Sequence, residues 1–346
     1  MPVASSEKQP LTLTCHVDSY RSGWTIVEFL AHRFPYHTAQ GWTKRVEDDW
    51  VRVNGAAVGV AHAVQKNDAV QYTIWHAEPP VDDRYQVLFE DEHYLAVSKS
   101  GNIPVHACGV YIVNTLIARL RDAYGPKINL AHRLDRETSG VVMLARHRAA
   151  NRLLAGMFER GDVEKRYLAI VYGHMADGNT MIDAPIAKVD ARYQYPVEYE
   201  YGKANDRATY LPKRIVGEGG KPARTRVEVV SHLTRPDAGA APGMGAPREF
   251  TTLRVTPEQG RTNQIRVHLA HVGHPIVGDK IYALSGELRD EVLRDGLTDR
   301  VRAALVLDRH ALHCESLSFT HPLTSRLLTI TAPVPEDLAR LADSSR

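Results

Sequence analysis

Between two apolar stretches of this chain lies Ala131-His132-Arg133-Leu134-Asp135-Arg136-Glu137-Thr138-Ser139-Gly140, which crowds carboxylates, guanidiniums, an imidazole and hydroxyls into one loop. A carboxylate held in such a place can act as a nucleophile or assist the loss of a proton, dividing a high barrier into lower ones. It can also do something plainer, because Asp with nearby Thr and Ser often shapes a turn. Two more polar blocks follow, Lys165-Arg166-Tyr167 at the head of an apolar run and Gly260-Arg261-Thr262-Asn263-Gln264-Ile265-Arg266-Val267-His268 in the last third. Taken singly, Tyr167 could be a strand aromatic of the core and Arg266 one half of a surface ion pair. His268, His271 and His274 stand three residues apart and invite a metal reading. No Cys or carboxylate stands at matching spacing and Gly273 interrupts the helix, so no metal site is expected.

These residues need elements to position them. The run Val141 to Ala145 reads as a buried strand leaving the polar loop, and Tyr94 to Val97 and Tyr167 to Tyr172 read as further strands. Val113, Leu116, Ile117 and Leu120 mark one helix, and Leu153, Leu154, Met157 and Phe158, stopped by Gly161, mark another. Strands and helices keep mixing to the C-terminus, which predicts an α+β domain on a mixed, largely antiparallel sheet over residues 84–335. Ahead of it, Thr25 and Glu28 form a capping box that opens a short helix with Ile26, Phe29, Leu30 and Phe34, closed by Pro35. Val51 and Val53 run into the hairpin signal Asn54-Gly55, and Val70, Tyr72 and Ile74 alternate beyond it. A small α/β unit over residues 14–76 is expected, joined through the Pro- and acid-rich Ala77–Asp83. Pro236–Pro247, dominated by Gly, Ala and Pro, reads as a surface loop.

The chain has 346 residues, enough for one large domain and a smaller one. Lysine and arginine number 43 against 41 acids, so the whole molecule hardly attracts a polyanion and any nucleic-acid contact must be local. Such a cluster exists in Arg133, Arg136, Arg146, Arg148 and Arg152, followed by Arg160, Lys165 and Arg166. By itself it reads as a solvated basic face. Cys15, Cys108 and Cys314 give no disulfide framework. The sequence presents no signal-peptide pattern and no run near the roughly 18 apolar residues of a membrane span, so a cytoplasmic protein is expected.

The loop at Asp135 resembles the HRLDxxTSG signature of the RluA-type family of pseudouridine synthases and meets it at every defined position. The blocks at Lys165-Arg166-Tyr167 and Gly260–His268, and the stretch Ala311-Leu312-His313-Cys314 through Phe319-Thr320-His321-Pro322, resemble the same family in order and spacing. Residues 14–76 are similar to the S4-like RNA-binding module that many members carry. Departures are Ser100 where the family has Pro after Lys99, Asn263 where His is common, and the acidic Glu47, Asp48 and Asp49 where the module presents a basic helix.

The resemblance implies a cytoplasmic RNA pseudouridine synthase that acts as a monomer on structured RNA, large-subunit rRNA before tRNA, without a cofactor or a metal. It implies Asp135 as the catalytic carboxylate, Arg266 as the arginine that keeps it ionised, and Tyr167 as the catalytic ring that stacks on the target uracil and sits where a base can take the C5 proton in the last step. Ile265 would form part of the pocket wall, and His132 and Arg133 would contact the displaced backbone or fill the vacated stack. The rival is a catalytically inactive RNA-binding or ribosome-assembly protein on the same fold. Retention of Asp135, Tyr167 and Arg266 together argues against it.

Overall fold

The structure, a computed structural model, describes residues 9–35, 37–189, 214–235 and 248–343. The chain forms two compact units that divide between Pro79 and Pro80. The proposed loop Pro236–Pro247 lies outside the described residues.

In the first unit β1 (Gln9–His16), α1 (Ile26–Arg33), α2 (Ala39–Glu47), β2 (Val51–Val53), β3 (Ala56–Ala57) and β4 (Ala69–His76) follow in order. The strands make one antiparallel sheet, β1-β4-β2-β3. The capping box forms: the Glu28 N–H donates to the Thr25 hydroxyl at 3.2 Å and the Thr25 N–H to the Glu28 carboxylate at 2.9 Å. Asn54 and Gly55 both take positive φ, 50° and 84°, as a two-residue hairpin turn requires. Ile26, Phe29, Leu30, Trp42, Val51, Val70 and Tyr72 fill the core. Both β1 and α2 are additions to the sequence reading. β1 alternates between exposed and half-buried positions, and α2 buries only Trp42 and Val46, so neither offers a strong apolar period. Asp48 and Asp49 follow α2 instead of lying on it, and Asp48 pairs with Lys44 at 3.1 Å.

The second unit opens with β5 (Tyr85–Glu90), β6 (Tyr94–Lys99), α3 (Leu116–Tyr124), β7 (Asn129–Leu130), β8 (Ser139–Ala145), α4 (Arg148–Arg160) and β9 (Glu164–Tyr172). It continues through β10 (Asn179–Asp183), β11 (Ile186–Lys188), β12 (Arg214–Val216), β13 (Arg224–Arg235), β14 (Arg248–Pro257) and α5 (Gln264–His271). It closes with α6 (Gly286–Asp295), α7 (Asp299–Leu305), β15 (Leu312–Thr320), β16 (Leu327–Thr331) and α8 (Glu336–Ala342). The large sheet runs β10-β13-β14-β9-β15-β8-β6-β5, with β7 beside β8 and β16 beside β15. Its pairs are antiparallel except β8 with β15, so the mixed, largely antiparallel α+β expectation holds. All seven residues of β8 are buried, as suits a strand flanked on both edges and covered on both faces. Val113 falls outside α3, which Thr115 caps by accepting the Ala118 N–H at 3.3 Å, and its side chain is exposed. Ser100, in the place where the resemblance has proline, donates its hydroxyl to the Asp82 carbonyl.

β8 and β15 fix the exit of the polar loop. Ser139 pairs with His313 and Gly140 with Cys314. A Cβ on Gly140 would stand 2.2 Å from the Cys314 carbonyl oxygen, and Gly140 has φ 112°, so only glycine fits there.

Candidate active site

Asp135 lies in the loop between β7 and β8, with its carboxylate partly open to solvent. Arg266, three residues into α5, donates from Nη1 to Asp135 Oδ2 at 2.8 Å. The other edge of the same guanidinium grips Asp279, Nε to Oδ2 at 2.7 Å and Nη2 to Oδ1 at 2.8 Å. Asp279 is fully buried and accepts the N–H groups of Ile281 and Tyr282 at 2.9 and 3.1 Å. Burial alone would push its pKa up, but Arg266 and these N–H groups hold it below the ordinary carboxylate value. Burial likewise works against the Arg266 charge, yet Asp279 and Asp135 raise its pKa well above the usual value. The guanidinium is therefore a fixed cation with one carboxylate behind it and one in front.

The helix that carries Arg266 is buried from Gln264 through Leu269, which immobilises the arginine's backbone. Gln264 bonds to the Arg224 carbonyl at 2.9 Å and to the Thr225 hydroxyl at 3.1 Å. Asn263 bonds to the Tyr282 hydroxyl at 3.2 Å, and the Tyr282 ring lies 5.3 Å from the Arg266 guanidinium. Asn263 thus has a definite job in this chain, holding the ring on which Arg266 rests. Ile265 is buried in the main core.

Tyr167, on β9, is nearly buried. Burial and Cys314, whose thiol shares a hydrogen bond with its hydroxyl, raise the phenol well above its ordinary range, and the charge of Asp135 adds to this. The phenol is neutral at physiological pH. Cys314 itself is pushed up to about 12 by burial and is an inert thiol.

His132 and Arg133 diverge. The His132 ring stacks on Phe158 at 4.3 Å, and its Nε2 accepts the Met143 N–H at 2.9 Å. Burial pushes its pKa down to about 3, so the ring is neutral and committed to packing the loop. Arg133 is exposed, its Nη1 3.0 Å from His106 Nε2. Of the wider basic cluster, Arg136, Arg146, Arg160 and Arg166 pair with Glu137, Glu90, Asp162 and Glu164, and Lys165 is buried. Arg133, Arg148 and Arg152 are the exposed cations of this cluster without an ion pair among the described residues. The solvated-face reading suits most of the others.

Three supports of the loop escaped the sequence reading. Lys99, fully buried, donates from Nζ to the carbonyls of Ser100, Ile103 and Arg136 at 2.7, 3.0 and 2.9 Å. Glu137 accepts both Lys280 bonds at 2.9 Å and one from Arg136 at 2.7 Å. Asp279 is the third. In sequence Gly278-Asp279-Lys280 looks like a polar turn, and the only hint of burial is the apolar Ile276-Val277 before it. His268 proves to be a core histidine, with Nδ1 2.8 Å from the Thr225 hydroxyl and Nε2 2.9 Å from the Ala184 carbonyl oxygen. No group of three or more His, Cys, Asp or Glu side chains among the described residues is arranged to hold a metal ion.

A sequence model of RNA pseudouridylate synthases matches residues 93–271, a span that contains Asp135, Tyr167 and Arg266. A protein named ribosomal large subunit pseudouridine synthase D from Xanthomonas campestris pv. campestris is 33% identical over 328 residues, covering 92% of this chain and 87% of the relative. The chain belongs to the RNA pseudouridylate synthase family. An RNA pseudouridine synthase is an isomerase whose substrate is RNA. The Escherichia coli protein of the same name as the Xanthomonas relative is 27% identical over 351 residues, covering 98% of this synthase and 95% of the relative. The solved structure of human RNA Pseudouridylate Synthase Domain Containing 1 superposes with a TM-score of 0.51 at 24% identity, over 74% of this chain and 86% of that one. That likeness establishes the pseudouridine synthase fold. No described helix of this synthase is long and apolar enough to cross a membrane.

Proposed function

We propose that this pseudouridine synthase isomerises uridine in large-subunit ribosomal RNA with Asp135 as its catalytic carboxylate. The observation that carries the reading is the chain of charges Asp135–Arg266–Asp279, in which a buried, doubly anchored arginine presents one N–H to a carboxylate still open to solvent. A uracil entering beside Asp135 would strip it of water, and the Arg266 N–H at 2.8 Å remains as its charge-assisted hydrogen-bond partner. The ionised carboxylate then either attacks the ribose C1′ or assists loss of a ribose proton as the C1′–N1 bond breaks. The base turns and C5 bonds to C1′ as the carboxylate departs or the ribose proton returns; C5 then gives up its proton and N1 ends protonated, with no net redox change. The uridine must first leave its stack, at a cost of a few kcal/mol. Arg133, exposed two residues from Asp135, is suited to contact the opened strand.

Tyr167 faces the reaction as a neutral ring. Its raised pKa supports stacking on the uracil in preference to service as a standing phenolate base. Ile265 contributes apolar wall from α5. The names of the relatives support the large-subunit RNA as substrate. The first unit, with its paired short helices and four-stranded sheet, is read as an S4-like RNA-binding module ahead of the catalytic domain.

The test is Asp135→Asn. Tritium release from rRNA labelled at uracil C5 should vanish while RNA binding stays within a few fold, since affinity comes mainly from backbone contacts. Retained release would remove Asp135 from the chemistry. Mapping of pseudouridines in large-subunit rRNA from cells lacking the gene should show loss of at least one site.

A further inference from the structure

A cavity of about 500 Å³ opens beside α3, within the roughly 300–1,000 Å³ typical of small-molecule sites. The apolar side chains of Ile112, Ala118 and Leu130 line it, together with Arg121, Asp122 and His106. Arg121 and Asp122 are exposed on α3, and their side chains form no ion pair with each other or with a neighbour among the described residues. His106 ties the cavity to the active loop. Its Nε2 lies 3.0 Å from Nη1 of Arg133, an obligate donor, so that nitrogen accepts and the ring hydrogen sits on Nδ1. Arg133 is two residues from Asp135, which limits their Cα separation to roughly 7 Å. The cavity and the loop of Asp135 are thus joined through the His106–Arg133 contact.

We propose that the cavity receives a second, unpaired nucleobase of the same RNA strand, a cytosine or adenine in preference to uracil. Apolar side chains and the His106 ring can hold a base by its faces. Asp122 accepts a hydrogen bond from an exocyclic amine, which cytosine and adenine offer and uracil lacks. Arg121 stands ready for a phosphate oxygen at the rim. The cavity would thus read a base flanking the target, a form of selectivity that RNA enzymes obtain from unstacked nucleotides. This rests on the reading that the target uridine reacts at Asp135.

The experiment measures binding and needs no turnover. Fluorescence anisotropy of the full chain with labelled oligo(C), oligo(A) and oligo(U) should give affinities for the first two about fivefold tighter than for the third. Ala118→Trp, which places an indole in the cavity, should erase that preference, and Asp122→Asn should weaken it. Equal binding of the three probes, or a preference that survives Ala118→Trp, overturns the proposal. If Ala118→Trp does not melt cooperatively, Asp122→Asn decides alone, and an unchanged preference overturns it. The preference should persist in Asp135→Asn. A wild-type chain that keeps it but releases no tritium from any RNA would defeat the catalytic reading and leave the cavity assignment standing.

Discussion

Asp279→Asn tests whether the arginine clamp sets the reaction geometry. The substitution conserves shape and can leave Oδ1 in place to accept from Arg266 Nη2, Ile281 N–H and Tyr282 N–H. The amide nitrogen then stands where Oδ2 was, 2.7 Å from Arg266 Nε, donor against donor. Either the amide turns over and abandons its three bonds, or the guanidinium withdraws. Loss of one buried charged hydrogen bond costs about 1.5–3 kcal/mol, which a domain stable by roughly 5–15 kcal/mol survives. A withdrawal of about 1 Å would carry Nη1 out of register with Asp135 and cost on the order of 100-fold in rate. The assay pairs urea unfolding with single-turnover tritium release at saturating RNA. A stability loss of the expected size with turnover within about threefold of wild type would refute the idea that Arg266 acts by being held still.

Other expectations follow from the same geometry. Arg266→Lys should keep a small activity and Arg266→Met almost none, because lysine supplies the charge without the planar fork that spans two carboxylates; equal activity of the two variants in the tritium assay would contradict this. His313 is buried and depressed to about 4 against 6.5 when unfolded, so the unfolded chain binds the extra proton between those values. Its contribution is complete above pH 6.5 and falls by about 1.4 kcal/mol per pH unit as pH drops towards 4, about 2 kcal/mol by pH 5, and a urea midpoint that does not fall between pH 7 and 5 would count against it. Removing residues 1–79 should leave the second unit with a cooperative melt and weaken rRNA binding several-fold; a folded fragment with no activity at saturating RNA would mean that the first unit completes the cleft.

Local signals were legible where side chain and backbone speak to each other at short range. The Thr25–Glu28 box, the Asn54-Gly55 turn and the apolar run of β8 appear where their residue types demand them. Asp135, Tyr167 and Arg266 stood out through a motif, and the ion pair between the first and third spans 131 residues without any local pattern to announce it. Lys99 and Asp279 were missed for a physical reason. A charged residue reads as solvent-facing, and only the convergence of three carbonyls, or of a guanidinium and two N–H groups, makes its burial tolerable. β1 was missed because a half-exposed edge strand needs little apolar surface.

The parallel pair of β8 and β15 has a consequence for how the enzyme comes into being. Ser139 meets His313 across 174 residues of chain, and β15 wedges between β8 and β9, each of which would otherwise have one edge open at the sheet's centre. Contacts so remote in sequence form slowly, since loop closure must precede their reward. During synthesis the loop of Asp135 leaves the ribosome long before the strand that fixes its exit. A nascent chain short of residue 312 would carry Asp135, Tyr167 and Arg266, the proposed catalytic trio, and still lack the edge that sets them, so competence should arise abruptly, once β15 has emerged.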